Sequence, residues 1–195
     1  MLKSGTDHWG SLAKFFHWTT VILILVQGTI GLVMVELPKR PGVIPVYNFH
    51  KSLGLTILAF ATLRLLWRAF DPRPVEPPSV PRWQALAARA GHALLYALIF
   101  LVPLSGWWFD SVTALRPLYW FGLIQIPPLG GPDPSIPDLK HIAAARHQLL
   151  FWTLIAVAAG HAAMALFHHF HDRDDVLRRM LPSRWSRRPL PSQGD

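Results

Sequence analysis

Cysteine is absent, which excludes disulfides, thiolate-built zinc or iron–sulfur centres, thiolate-ligated haem and the C-x-x-C-H attachment of c-type haem. Charge is scarce as well. Only 15% of the 195 residues are charged while 51% are apolar, and the apolar residues gather in four blocks instead of being spread as a single soluble core requires. There is no G-x-G-x-x-G fingerprint of a dinucleotide-binding enzyme and no internal repeat. A cleavable leader is not expected, because the first apolar block is of spanning length and ends Met34-Val35-Glu36 in place of a small-residue cleavage site.

The four blocks cover residues 15–35, 46–67, 91–109 and 147–169, each near the ~20 residues needed to cross a ~30 Å hydrocarbon layer. They predict an all-α fold, an integral membrane four-helix bundle occupying residues 1–182, with 183–195 as a basic, flexible tail. Of the 19 Lys and Arg, only Lys39, Arg40, Lys51, Arg116, Lys140 and Arg146 fall with the first and third connections. The excess on the other side places both termini in the cytoplasm by the positive-inside rule. In a soluble protein a net charge of +8 and a pI near 10.6 would suggest nucleic acid. Here Arg178, Arg179, Arg184, Arg187 and Arg188 follow the last span, where basic residues set orientation and touch anionic lipid.

Proline and glycine punctuate the connections. Pro38, Pro41, Gly42 and Pro45 permit a tight return after the first span, and Pro72, Pro74, Pro77, Pro78 and Pro81 make the second connection a semi-rigid extended segment. The third connection, residues 110–139, is the longest. It mixes Tyr119, Trp120, Phe121 and Leu123 with a Pro/Gly-rich stretch, and reads either as a functional loop or as an interfacial aromatic belt.

Ten histidines are conspicuous in so apolar a chain, and His17, His50, His92, His147 and His161 lie within or at the ends of spans. A lone imidazole in hydrocarbon is commonly an interhelical hydrogen-bonding group, but several at matched depths point to ligation. His147 and His161 are fourteen residues apart, about 40° short of four full turns with a rise of ~21 Å, so they share nearly one face at opposite ends of one helix. Alternating topology sets His17 at the depth of His161, on the inner side, and His50 at the depth of His147, on the outer side. Two cross-helix pairs follow, each offering the two neutral nitrogens that a six-coordinate haem iron accepts. Without cysteine such haem would be b-type and non-covalent, one per pair.

Neighbouring residues suit a broad ring or, equally, close helix packing: Ala158-Ala159-Gly160-His161-Ala162-Ala163 around one ligand, and Gly54 one turn beyond His50. Arg64 and Arg68 on the inner side and Lys51 on the outer are candidates for haem propionates, with snorkelling to headgroups as the alternative. His92, at the inner start of the third span, competes with His17 as partner of His161, or contacts a propionate or a quinone oxygen. His168, His169 and His171 form a cluster read as a polar interfacial end, although the i,i+3 spacing of His168 and His171 also permits a metal. His8 and His141 have no assigned role.

These residues resemble the bacterial cytochrome b561 family from about His8 to Pro182. The similarity rests on Phe16-His17-Trp18, His50-Lys51-Ser52-Leu53-Gly54, Leu63-Arg64-Leu65-Leu66-Trp67-Arg68, Gly91-His92 with Pro103 and Gly106, and His147 with Gly160-His161, in that order. The resemblance implies a diheme membrane cytochrome of the bacterial inner membrane, His17 and His161 binding one haem and His50 and His147 the other. For some members it implies oxidation of superoxide on the periplasmic side and reduction of ubiquinone. Arg146 and Gln148 flank His147 where the family often has an acidic residue after this histidine, a departure that bears on tuning.

One-electron transfer is thus the expected activity, with haem performing the redox step and no side chain acting as nucleophile or base. Lys51, Lys140 and Arg146 near the outer pair would attract an anion such as superoxide, or are plain surface charge. Two rivals remain at the sequence level. A haem-bearing anchor subunit for a dehydrogenase or hydrogenase would copurify with a large redox partner, and a histidine-lined transporter would be colourless.

Overall fold

The structure, a computed structural model, describes residues 1–181 except 7, 39, 73 and 76–80. The expected tail at 183–195 and much of the proline-rich second connection lie outside the described residues. Four long helices form: α1 (Ser11–Glu36), α2 (Ile44–Phe70), α3 (Arg82–Thr113) and α4 (Leu139–Phe167), with a short α5 (Val176–Met180) after a π-helical turn at His168–Asp172. All four are long and apolar enough to cross a membrane.

The helices overrun the apolar blocks, most at the start of α3 and of α4, because charged turns such as Arg82 to Arg89 continue the hydrogen-bond ladder beyond the hydrocarbon limit. A proline stands just inside the start of α2, where no N–H is needed, and Ala114 in the left-handed conformation closes α3. Hydroxyls inside the spans bond back to their own helix: Thr20 to Phe16 O, Thr29 to Leu25 O, Thr62 to Leu58 O and Thr153 to Leu149 O. In lipid, where water cannot serve them, each hydroxyl is satisfied locally.

Packing follows chain order. α1 lies against α2, α2 against α3 and α3 most closely against α4, while α4 has no comparably close approach to α1 or α2. The buried centre consists of Ile57, Ala61, Leu98, Ile99 and Leu154, joined by Leu23, Ile24, Leu150 and Val157. Phe15, Leu25, Leu66, Leu101 and Leu149 face outward, as expected of helices solvated by lipid.

The two ends of the bundle differ. At the end where residues 1–10 and 168–181 lie, here called proximal, Ser4 donates through its backbone N and its hydroxyl to Asp71 (2.9 and 2.6 Å), while Trp18 Nε1 and Lys14 Nζ donate to the Met180 and Leu181 carbonyls (2.9 and 2.7 Å). The N-terminal segment, the end of α2 and the C-terminal segment are thereby clasped together. At the opposite, distal end a two-stranded antiparallel hairpin departs from pure helix. Strand β1 (Leu118–Trp120) pairs with β2 (Ile124–Ile126), and the hairpin lies across α2.

Candidate functional site

Four histidines meet in two pairs, one at each end of α4. At the proximal end the His17 ring of α1 faces His161 of α4 with centroids 6.3 Å apart and planes crossed at 64°. At the distal end His50 of α2 faces His147 of α4 at 6.4 Å and 86°. An imidazole nitrogen lies about 1.1 Å from its ring centroid and about 2.0 Å from a metal it ligates, so two imidazoles on opposite faces of one ion have centroids about 6.2 Å apart. Both pairs match that separation. The pairs also bridge α4 to α1 and to α2, the two long helices that α4 otherwise approaches least.

His92 sits on α3 with its ring centroid 5.1 Å from that of His161. That is about 1 Å too short for an ion between them. The proximal end therefore gathers three imidazoles, of which His17 and His161 have the ion-spanning separation.

Glycines shape the distal pocket. A Cβ built on Gly31 would stand 3.0 Å from the His50 ring, and one on Gly106 would stand 3.0 Å from His147. Each imidazole thus lies close against a neighbouring helix, where a Cβ would make it give by a few tenths of an ångström. Gln27 Nε2 donates to the His50 carbonyl (2.8 Å) and packs on Gly54, so Gly54 admits a glutamine side chain instead of lying open beneath a ring. Gly160 has no neighbour among the described residues around its Cβ position, so the small-residue run beside His161 does not mark a contact with them at that glycine.

What stands behind each ring differs as well. His147 Nδ1 lies 3.1 Å from the Val102 carbonyl and 2.9 Å from Ser105 Oγ, whose own proton goes to Val102 O at 2.7 Å. With Nδ1 donating, the other nitrogen is left unprotonated, the form that ligates a metal. Pro103 lies in the same turn of α3. His50 Nδ1 is buried without a hydrogen-bond partner among the described residues. At the proximal end Arg64 Nη2 approaches His17 Nδ1 at 3.3 Å, and the guanidinium carbons of Arg64 and Arg68 lie 5.1 and 5.4 Å from the centroid of the Tyr96 ring.

Lys51, expected near a propionate, forms an ion pair with Asp110 of α3 at 2.5 Å. Arg146 lies over the Trp108 ring at 5.5 Å. His168 Nδ1 is held by Asp174 (2.7 Å) and Asp172 (3.1 Å), while His171 stacks on Phe167 and binds Asp172. These acids tie the π-helical turn together. His141 pairs with Asp138 at the start of α4.

Ser105, Val102, Gly31, Gln27, Tyr96 and Asp110 escaped the reading of the sequence. Ser105 had one usable signal, a hydroxyl two residues after a mid-span proline. The others depend on which helix faces which, and nothing in a single chain's spacing shows that.

Four long apolar helices with a histidine pair toward each end of α4 form a multi-pass membrane bundle whose imidazoles are spaced as metal ligands would be. The model of the family described as prokaryotic cytochrome b561 matches residues 8–183, and the chain belongs to that family. It is 34% identical to cytochrome b561 homolog 2 of Escherichia coli (strain K12) over 176 residues, covering 90% of this chain and 92% of the relative. Identity to cytochrome b561 homolog 1 of the same organism is 27% over 175 residues, covering 87% and 94%. A Yersinia pestis protein named "Probable superoxide oxidase CybB" is also 27% identical, over 173 residues covering 86% and 92%. The protein is therefore a bacterial multi-pass membrane cytochrome of the electron-transport type that binds b-type haem.

Proposed function

We propose that the protein is a diheme cytochrome of the bacterial inner membrane that takes single electrons from superoxide on the periplasmic side and delivers them to ubiquinone. Residues 1–182 make up the electron-transfer unit, with both termini cytoplasmic, so the proximal end faces the cytoplasm and the distal end the periplasm. One observation carries the reading: two histidine pairs, His17–His161 and His50–His147, stand at opposite ends of the bundle with the centroid separations that one iron between two imidazoles requires.

Haem, when bound, supplies the one-electron couple. The chain supplies the rest. His17, His161, His50 and His147 present neutral nitrogens, Val102 and Ser105 orient His147, and Gly31 and Gly106 leave the distal rings their space. The layer of Ile57, Ala61, Leu98, Ile99 and Leu154 keeps water from the path between the two levels. Arg64 and Arg68 are the cations placed for propionates at the proximal end. Lys51 is compensated by Asp110, so Lys140 and Arg146 carry the attraction for an anionic donor at the distal end. In the overall reaction two superoxide anions each lose one electron and leave as dioxygen, and one quinone takes up two electrons and two protons. His92, beside His161, is the side chain best placed to bond a quinone oxygen.

The experiment is superoxide-dependent reduction of ubiquinone by the purified, haem-loaded protein. Quinol formation well above the level set by spontaneous dismutation is expected. No excess over that level overturns the superoxide reading.

A further inference from the structure

The distal hairpin serves none of the steps above, yet bonds to two helices fix its place. Ser52 Oγ of α2 accepts from Phe121 N (2.9 Å) and donates to Tyr119 O (3.2 Å), while on α3 Trp107 Nε1 donates to Pro127 O (3.0 Å) and Ser111 Oγ accepts from Leu129 N (2.8 Å). The level of this platform follows from the charges beside it. His50 faces His147, so their neighbours Lys51 and Arg146 share one level, and Asp110 pairs with Lys51 there. Charged groups settle at the edge of the hydrocarbon layer, so this level is the polar boundary of the distal leaflet. Ser52 is the next residue of α2, and the hairpin it holds lies at that boundary.

The two faces of the hairpin differ in chemistry. Residues directly opposite share a face, so Leu118 with Ile126 and Trp120 with Ile124 form one side, and Tyr119 with Gln125 the other. Trp120 Nε1 reaches Thr56 Oγ1 (3.0 Å), one helical turn farther than Ser52 from the distal start of α2, so the apolar side looks toward the bilayer midplane. Tyr119 and Gln125, joined OH to Oε1 at 3.4 Å, look toward water. Leu118 is buried, but Ile124 is 56% exposed and Leu123, in the turn, 76%. Residues 117–132 contain no Asp, Glu, Lys or Arg. The surface also continues that of the spans: the Phe121 ring meets Phe49 of α2 at 5.9 Å, and Phe49 is itself an outward-facing side chain.

We infer that the hairpin is an interfacial anchor whose Leu123 and Ile124 enter the phospholipid of the distal leaflet, with Tyr119 and Gln125 in the layer of headgroups and water. Lipid, and not a soluble protein or a second copy of the chain, is the occupant, because the exposed apolar side is turned toward the layer that already solvates Phe49. Only side chains enter. The edge of β2 away from β1 carries backbone groups that hydrocarbon cannot serve but headgroups and water can, whereas the free edge of β1 is served by Ser52.

The absence of cysteine makes a labelling test direct. Ile124→Cys and Gln125→Cys, each carrying a nitroxide, are placed as haem-loaded protein in phospholipid nanodiscs holding one chain apiece. Electron paramagnetic resonance then compares collision with oxygen, which concentrates in lipid, against collision with a water-soluble nickel chelate. Oxygen should prevail severalfold at position 124, and the order should reverse at 125. If Ile124→Cys loses its haem spectrum, Leu123→Cys takes its place under the same criterion. Nickel access at 124 or 123 equal to that at 125 would mean that the hairpin stands in water, and shielding from both reagents would mean that protein covers it. Either result overturns the inference.

Discussion

At the scale of single residues, the glycines are as decisive as the histidines. A Cβ on Gly106 would stand 3.0 Å from the His147 ring, tight enough that the ring must give by a few tenths of an ångström, so the much larger Gly106→Leu should expel that ring from its position and cost the distal haem while the helices stay folded. Haem content should fall from two per chain to one with an unchanged far-ultraviolet dichroism spectrum; a full complement would show that the ring does not need this space. The pairs set by helical spacing in the sequence, His17 with His161 and His50 with His147, are the ones that lie at ion-spanning distance in the structure. That much was legible because depth in a span can be counted from its ends. The surroundings were not. Lys51 reads equally as propionate partner or snorkelling anchor, and only the fold brings Asp110 to it.

At the scale of elements, the four helices were legible from composition, since about 20 apolar residues without charge have few other fates. The hairpin was not. Phe121 and Gly122 both have positive φ, 48° and 74°, between strands of three residues each, so the turn has the hand of a tight hairpin without an Asn-Gly or Asp-Gly signal. A bulky residue in that conformation costs roughly 1–2 kcal/mol, and a tertiary contact offsets it. Ser52 Oγ of α2 accepts from Phe121 N at 2.9 Å and donates to Tyr119 O at 3.2 Å, while Trp120 Nε1 donates to Thr56 Oγ1. Ser52 is almost completely buried, two residues after His50. Ser52→Ala should therefore cost about 1–3 kcal/mol, read as a lower thermal midpoint in the haem absorbance and as faster proteolysis within residues 118–126. An unchanged midpoint and an intact hairpin would mean that the strands hold themselves.

For the whole molecule, α4 is the shared element, carrying one ligand candidate toward each end with an apolar layer between them. This separation predicts independence: His161→Ala should remove the proximal haem and largely spare the distal one, measured as one haem per chain with a single remaining redox step. Charge is the other long-range feature. With Lys51 compensated, the exposed Arg40, Arg116, Lys140 and Arg146 still outnumber the exposed Glu36, Asp133 and Asp138 at the distal end, so the rate with superoxide should fall as ionic strength rises from about 0.01 to 0.15 M. A salt-independent rate would assign those residues to orientation in the membrane and not to capture of an anion.

Whether one chain holds two haems between two histidine pairs is decided by a pyridine haemochrome assay with independent protein quantitation. Two b-type haems per chain are expected; one haem would contradict the assignment of a pair, and none would contradict ligation by either.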